Sequence, residues 1–405
     1  MAKIPVAKPL DSKRTLTFLA VVMLINALSY GTIIPLFYPY AERFGLNAFG
    51  ISMLFASFSL AQFIATPLIG KLSDKYGRRP LLLFSLLGTS LSLALFASAQ
   101  TVFMLFLARI LDGITGGNVS VAQAVISDTV PPKERAKAFG MLGAAFGFGF
   151  LLGPALGGLL SQSSISLPFW FAAFMALVAV VVGYFILPET IDPAHKHKVK
   201  SNPIDPRVLL QIAKKSGVAY LLLAGFVMAI SNNAFIISFQ SFTNVTLNMS
   251  PREIGLLFTL VGLLNIIMQM VGVGWLLKHF KSRSKLVFTA EILSGLVLAA
   301  MMLPIANSHI TFIALISLFQ ITSAPLAPLL VGMLTEKAEH HEQGEVLGVN
   351  QSFTSVAQII GPLTAGSVVV LHVGAGFAIA AILMFAAFFV SYSGYRSHKK
   401  ATVTN

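Results

Sequence analysis

"AFGMLGAAFGFGFLLGPALGG" (Ala138–Gly158) and "VLGVNQSFTSVAQIIGPLTAG" (Val346–Gly366) carry one pattern written twice. A shift of 208 residues places Gly140 on Gly348, Gly153-Pro154 on Gly361-Pro362 and Gly158 on Gly366. Each stretch is long and apolar enough to cross a bilayer core, which takes roughly 20 helical residues. Unrelated apolar helices rarely share a Gly-Pro and two further glycines in register. The chain is therefore expected to be two similar halves.

Composition supports this outward from the two stretches. Of 405 residues, 56% are hydrophobic and only 11% charged, with a mean hydropathy of +0.82. Soluble domains carry about 25% charged residues, so this is an integral membrane protein. There is no cysteine, which excludes disulfides, thiolate metal sites and a cysteine nucleophile. The first apolar run is too long for a signal-peptide core and reads as a span. Twelve spans are predicted, near 15–41, 49–69, 80–99, 101–127, 136–161, 166–187, 217–246, 253–277, 285–305, 309–334, 345–371 and 373–396. Unbroken apolar runs, not alternating ones, argue for helices over a β-barrel.

The basic residues orient the chain. With twelve spans both termini share one side, and that side receives 25 of the 28 Lys and Arg. The opposite loops hold Arg43 and Arg252, and Arg109 falls inside span 4. This is the positive-inside pattern, with both termini cytoplasmic. The net charge of +13 is thus a topogenic, lipid-facing signal and not a nucleic-acid footprint. One long polar connector, Pro188–Arg207, divides the chain into a six-span half at 1–188, a linker at 189–216 and a second half at 217–405.

Three motifs carry chemistry. "GKLSDKYGRRP" (Gly70–Pro80) gathers five charges between spans 2 and 3. Lys71, Lys75 and Arg79 read as topogenic. Asp74 can accept from the N–H groups of a helix N-terminus, where the dipole favours an anion. Arg78 can reach a second acid, Asp128, at the end of span 4, while Gly70 and Gly77 allow close approach and a tight turn. The matching stretch of the second half, Gly274–Lys285, keeps a glycine and the basic charge without an acid, so a gate built here is expected to be one-sided. In "RILDGITGG" (Arg109–Gly117), Arg109 and Asp112 lie three apart on one helical face. A charge at that depth usually faces an interior. The pair reads either as a static buried contact or as an acid that exchanges protons beside its arginine. In "GFLLGPALGG", Gly149, Gly153, Gly157 and Gly158 form a close-packing groove and Pro154 a bend. Glu291, a turn or two inside span 9, is expected to be an interfacial acid, with a coupling residue as the alternative.

These motifs, in this order and spacing, resemble signatures of the major facilitator superfamily, and most of all its twelve-span drug:proton antiporters. The resemblance covers the whole chain. It implies an all-α fold of twelve transmembrane helices in two six-helix halves, which exposes a central site alternately to each side. It implies a cytoplasmic gate from Gly70, Asp74, Gly77, Arg78 and Asp128, in which Asp74 meets the start of span 11. It further implies proton coupling through Arg109 and Asp112, and antiporter helix packing at Gly149, Gly153, Pro154, Gly157 and Gly158.

The expected substrate cavity holds amides and aromatics: Asn26, Tyr30, Gln123, Asn232, Asn233, Phe235, Gln240, Gln269, Gln320, Asn350 and Gln351. Such a lining suits a lipophilic or amphipathic ligand. No phosphate-cradling G-x-x-x-x-G-K-[ST] occurs, so protons and not ATP are the expected energy source, without a cofactor or metal. No catalytic constellation points to an enzyme. The expected protein is a monomeric exporter in a bacterial cytoplasmic membrane, its partners being a small substrate, protons and lipids. Import of a nutrient on the same fold and a non-transporting sensor are the alternatives.

Overall fold

A computed structural model describes residues 12–190, 216–280, 282–338 and 343–403. Most of the predicted linker lies outside the described residues. All regular structure among those residues is helical. In hydrocarbon no water can satisfy backbone N–H and C=O groups, so an apolar run must close its own hydrogen bonds as a helix.

The first half runs through Ser12–Glu42 (span 1), Ala48–Tyr76 (span 2), Arg78–Ala97 (span 3), Val102–Thr115 with Asn118–Thr129 (span 4), Pro132–Leu160 (span 5) and Leu167–Ile186 (span 6). The second runs through Ser216–Ser241 (span 7), Pro251–Ile267 continued to His279 (span 8), Arg283–Ala300 (span 9), His309–Ser323 with Leu326–Lys337 (span 10), Gln343–Val369 (span 11) and Ala375–Val403 (span 12). Eleven of these are long and apolar enough to cross a membrane. The exception is span 9, whose 18 residues include Arg283, Lys285 and Glu291.

Three predicted spans change. Span 2 does not stop where its apolar run stops. It stays helical through the charged stretch to Tyr76, and Gly77 alone separates it from span 3. Span 4 is not one continuous helix but is interrupted at Gly116–Gly117. Span 10 is interrupted at Ala324–Pro325. The shift of 208 found in spans 5 and 11 carries Thr115 and Asn118, which flank the first break, onto Ser323 and Leu326, which flank the second. Glycine weakens a helix by its freedom, proline by its missing N–H, and the two halves use one each.

The chain forms two compact units, 1–44 with 60–201 and 251–259, and 45–59 with 202–250 and 260–405. Each is built around its own core. In the first, Tyr40, Phe96 and Phe169 from spans 1, 3 and 6 cluster with ring centroids 4.7–5.3 Å apart. The Tyr40 hydroxyl donates to the Phe96 carbonyl at 2.8 Å and closes the end of span 3. In the second, Phe235, Phe239, Phe312, Phe319 and Phe377 from spans 7, 10 and 12 form the corresponding cluster.

Candidate functional site

The charged end of spans 2 and 3 is organised by Gly77. Its φ of 115° and ψ of 153° belong to a region open essentially to glycine alone. That backbone turns the chain at once, so Arg78 becomes the first residue of span 3 and faces back across span 2. Its guanidinium meets Asp74 at 2.5 Å and Asp128 at 2.9 Å, and donates to Ser73 Oγ at 2.6 Å. Arg78 thus binds the ends of spans 2, 3 and 4 through one planar fork. Its backbone N–H donates to Glu189 Oε1 at 2.9 Å, and a Cβ on Gly77 would collide with that carboxylate. Glu189 and Ser73 were not legible as members of this cluster. Glu189 stands 111 residues away at the foot of the linker, where only folding brings it near. Gly70 departs from its expected use: a Cβ there would meet nothing within 4 Å. Arg79, read as topogenic, donates to the Tyr184 carbonyl and lies over the Tyr184 ring.

Arg109 and Asp112 do form an ion pair, at 3.0 Å, with Arg109 only 6% exposed. The pair sits one turn before the break in span 4. Arg109 also lies over the Phe37 ring of span 1, 5.4 Å from its centroid. Thr89 and Ser92 of span 3 and Tyr30 of span 1 stand near the pair, and the Ser92 hydroxyl donates to the Thr89 carbonyl at 2.9 Å. A lone charge at this depth costs roughly 3 kcal/mol or more. Here the arginine has a carboxylate and an aromatic face. Three spans must stay in register for this cluster to exist. Gln62 of span 2 donates to the Gly116 carbonyl at 3.1 Å, filling one acceptor that the break leaves open.

The glycine stripe of span 5 has a specific neighbour. A Cβ on Gly149, Gly153 or Gly157 would strike span 1 at the backbone of Leu24 and Leu28, of Leu28 and Thr32, and of Thr32. Pro154 touches Gly31. The stripe packs span 5 on span 1, because a four-residue repeat keeps Gly149, Gly153 and Gly157 along one line. Gly158 lies off that line and packs on Pro251 and Arg252, at the start of span 8. The second unit repeats this: Gly361 packs on Ile230, Asn233 and Ala234 of span 7, and Gly366 on Ala48 and Ser52 of span 2.

The second half also holds an ion pair that the sequence reading missed. Arg283, the first residue of span 9, pairs with Glu336, next to the last residue of span 10. Arg78 and Asp128 hold those same places in spans 3 and 4. The 208 shift carries Asp128 onto Glu336, and that was the available signal. The one-sided gate is corrected accordingly: the arginine–acid contact occurs twice, and the i, i+4 acid at Asp74 occurs once.

The expected cavity residues separate. Gln240 is fully enclosed within the second unit, and Gln320 is buried. Phe235 stacks on Phe319 at 4.5 Å inside the aromatic core. Asn233 returns its amide to the Ala229 carbonyl at 2.8 Å, as a helix-internal bond. Tyr30, Gln123, Gln269 and Gln351 are exposed on their own units, and Asn26, Asn232 and Asn350 are half-buried. The amide of Gln269, which lies in a π-helical turn at Met268–Gly272, donates to Asn265 Oδ1 at 2.5 Å. Such turns are frequent at functional sites. Among the described residues no His, Asp or Glu cluster could hold a metal ion.

Comparison with known proteins matches this architecture. A family profile described as Major Facilitator Superfamily matches residues 19–245 and 221–404, so it fits each half. The class E tetracycline resistance protein of Escherichia coli is 31% identical over 357 residues, covering 86% of this chain and 86% of that protein. The quinolone resistance protein NorA of Staphylococcus aureus (strain MRSA252) is 29% identical, covering 86% and 88%. Among solved structures, the human organic anion transporter MFSD10 aligns over 94% of this chain and 99% of its own with a TM-score of 0.69, at 23% identity.

Proposed function

This chain belongs to the Major Facilitator Superfamily, and from that premise we propose that it exports a lipophilic or amphipathic small molecule in exchange for protons. It is a multi-pass membrane transporter and not an enzyme. The relatives named for tetracycline and quinolone resistance support a drug-like substrate, and the amide and aromatic residues of spans 1, 7, 8 and 11 suit one. The reading places the protein in a bacterial cytoplasmic membrane with both termini in the cytoplasm.

The observation that carries proton coupling is the enclosed Arg109–Asp112 pair, at the interruption of span 4. A carboxylate held by one arginine in an enclosed site changes its proton affinity whenever water gains or loses access to it. Small movements of span 4 at Gly116–Gly117 would change that access. The Asp74–Arg78–Asp128 cluster is then the gate that holds one end closed while substrate and proton exchange at the other.

The test uses inside-out vesicles from cells expressing the protein. A fluorescent lipophilic cation should accumulate when the vesicle interior is made acidic, and a protonophore should abolish that. Asp112→Asn should abolish gradient-driven accumulation while leaving dye binding to purified protein intact. Undiminished accumulation in that variant would remove Asp112 from the mechanism. Accumulation insensitive to the protonophore would remove proton coupling altogether.

A further inference from the structure

We propose that the second unit binds the phosphate of an anionic phospholipid where spans 7, 10 and 12 come together, held by Lys337 and the hydroxyl of Tyr220.

Three spans build the place. Span 12 and the second part of span 10 both pack against span 7. Tyr220 stands in the second turn of span 7, and Lys337 is the last residue of span 10. Gly394 of span 12 lies directly against Tyr220, where a Cβ would collide with the tyrosine's Cβ and Cγ. That contact leaves Tyr220 only 9% exposed. Tyr395, the next residue, stands near Tyr220 and meets the Phe288 ring of span 9 edge-on at 5.7 Å.

Two donors there lack an acceptor. The Tyr220 hydroxyl is buried and has no hydrogen-bond partner among the described residues. An enclosed hydroxyl left in that state is costly. The Lys337 ammonium lies 5.6 Å from the centroid of the same ring, half-buried, with no carboxylate beside it among the described residues. The neighbouring charges are engaged or turned away. Glu336 takes Arg283, Arg396 lies over the Tyr392 ring at 4.7 Å, and Lys285 is exposed at the start of span 9. A cation and a hydroxyl donor side by side call for an anion with several oxygens. A phosphate diester accepts from both at once, through charge-assisted hydrogen bonds. Lys337 covers the ring on a flexible stem, and lifting it uncovers the hydroxyl.

The level of the site selects a lipid over a free anion. The apolar stretches Val218–Thr246, His309–Lys337 and Ala375–Ser397 begin or end within a few residues of Tyr220, Lys337 and Tyr395. Tyrosines and basic residues at the ends of spans lie at headgroup depth. A basic pocket between helices at that depth meets lipid phosphates at high local concentration. The first unit has no counterpart. Moving back by 208 residues puts Thr129 at Lys337, Ile186 at Gly394 and Leu187 at Tyr395. Thr129 returns its hydroxyl to the Val125 carbonyl at 2.7 Å, and Leu187 is buried. The lipid therefore braces one unit only, and it does so one residue from the Glu336–Arg283 contact.

The experiment uses the full chain, purified in an uncharged maltoside detergent and supplied with phosphatidylglycerol, phosphatidylcholine or inorganic phosphate. Native mass spectrometry counts the retained lipid, and thermal unfolding reads its effect. Phosphatidylglycerol should raise the unfolding midpoint of the wild type more than phosphatidylcholine does, with one copy tightly retained. Lys337→Ala should lose that copy, and Lys285→Ala should keep it. Tyr220→Phe should weaken retention about tenfold, as expected for one hydrogen bond to a charged group. Its stability should also change sign. Without lipid it should unfold no lower than the wild type, because the hydroxyl removed has no partner. With phosphatidylglycerol it should unfold lower. Equal retention by the wild type, Lys337→Ala and Tyr220→Phe overturns the site. Stabilisation by inorganic phosphate or phosphatidylcholine equal to that by phosphatidylglycerol overturns the anionic lipid as its ligand. If Lys337→Ala does not fold, Tyr220→Phe decides: midpoints that match the wild type both with and without phosphatidylglycerol overturn the proposal.

Discussion

Gly77 and Gly70 look alike in the sequence, as two glycines bracketing one charged stretch, and physically they differ. Gly77 adopts a φ of 115° and has the Glu189 carboxylate against it, while Gly70 is helical with open space where a Cβ would stand. Gly77→Ala should therefore cost about 1–3 kcal/mol of stability from backbone strain alone. Gly70→Ala in a helix interior should be neutral or stabilising by up to about 1 kcal/mol. Thermal unfolding of the two purified variants in detergent checks the contrast, and equal midpoints would refute it. Arg109 and Asp112 needed no tertiary information to be paired, since three residues along a helix already brings them together. The nearby residues Thr89 and Ser92, and the ring of Phe37, come from other spans and had no sequence mark.

At the scale of elements, the interrupted spans and the span 5 stripe matter most. Helix breaks at Gly116–Gly117 and Ala324–Pro325 free backbone groups inside the protein, and polar side chains such as Gln62 answer them. Irregular backbone at membrane depth persists only where protein or an aqueous cavity surrounds it. The stripe of Gly149, Gly153 and Gly157 lets span 5 approach span 1 at backbone distance, which no larger side chain permits. Gly153→Leu should thus force the two helices apart and cost about 1–3 kcal/mol, by overpacking. Gly143→Leu on the same span is the control, because a Cβ at Gly143 meets nothing within 4 Å. A disulfide-free fluorescence unfolding series should show the first destabilised and the second not.

For the whole molecule, the two compact units do not coincide with a simple cut of the chain. Residues 251–259 belong to the first unit and 45–59 to the second. Each unit therefore lacks a packing segment when made from its own half alone: Gly158 loses Pro251 and Arg252, and Gly366 loses Ala48 and Ser52. Residues 1–200 and 201–405, expressed separately, should each be degraded rapidly. Co-expressed, they should protect one another from protease and restore dye export. Stable accumulation of either half alone would show that the exchanged segments are dispensable.

The amino-acid sequence by itself determined the solvent, the number of spans, the duplication and the pairing of Arg109 with Asp112. These follow from hydropathy, helical periodicity and a fixed shift, which act along the chain and need no folding. Only the tertiary structure decided that Glu189 braces the Gly77 turn, that Arg283 finds Glu336, that span 5 packs on span 1, and that Phe235 and Gln240 sit inside a unit and not on a wall. Each of these joins residues distant in sequence, or turns on which face of an almost wholly apolar helix points inward. In water an amphipathic stripe would announce that face. In a membrane both faces are apolar, and the choice is made by close packing alone.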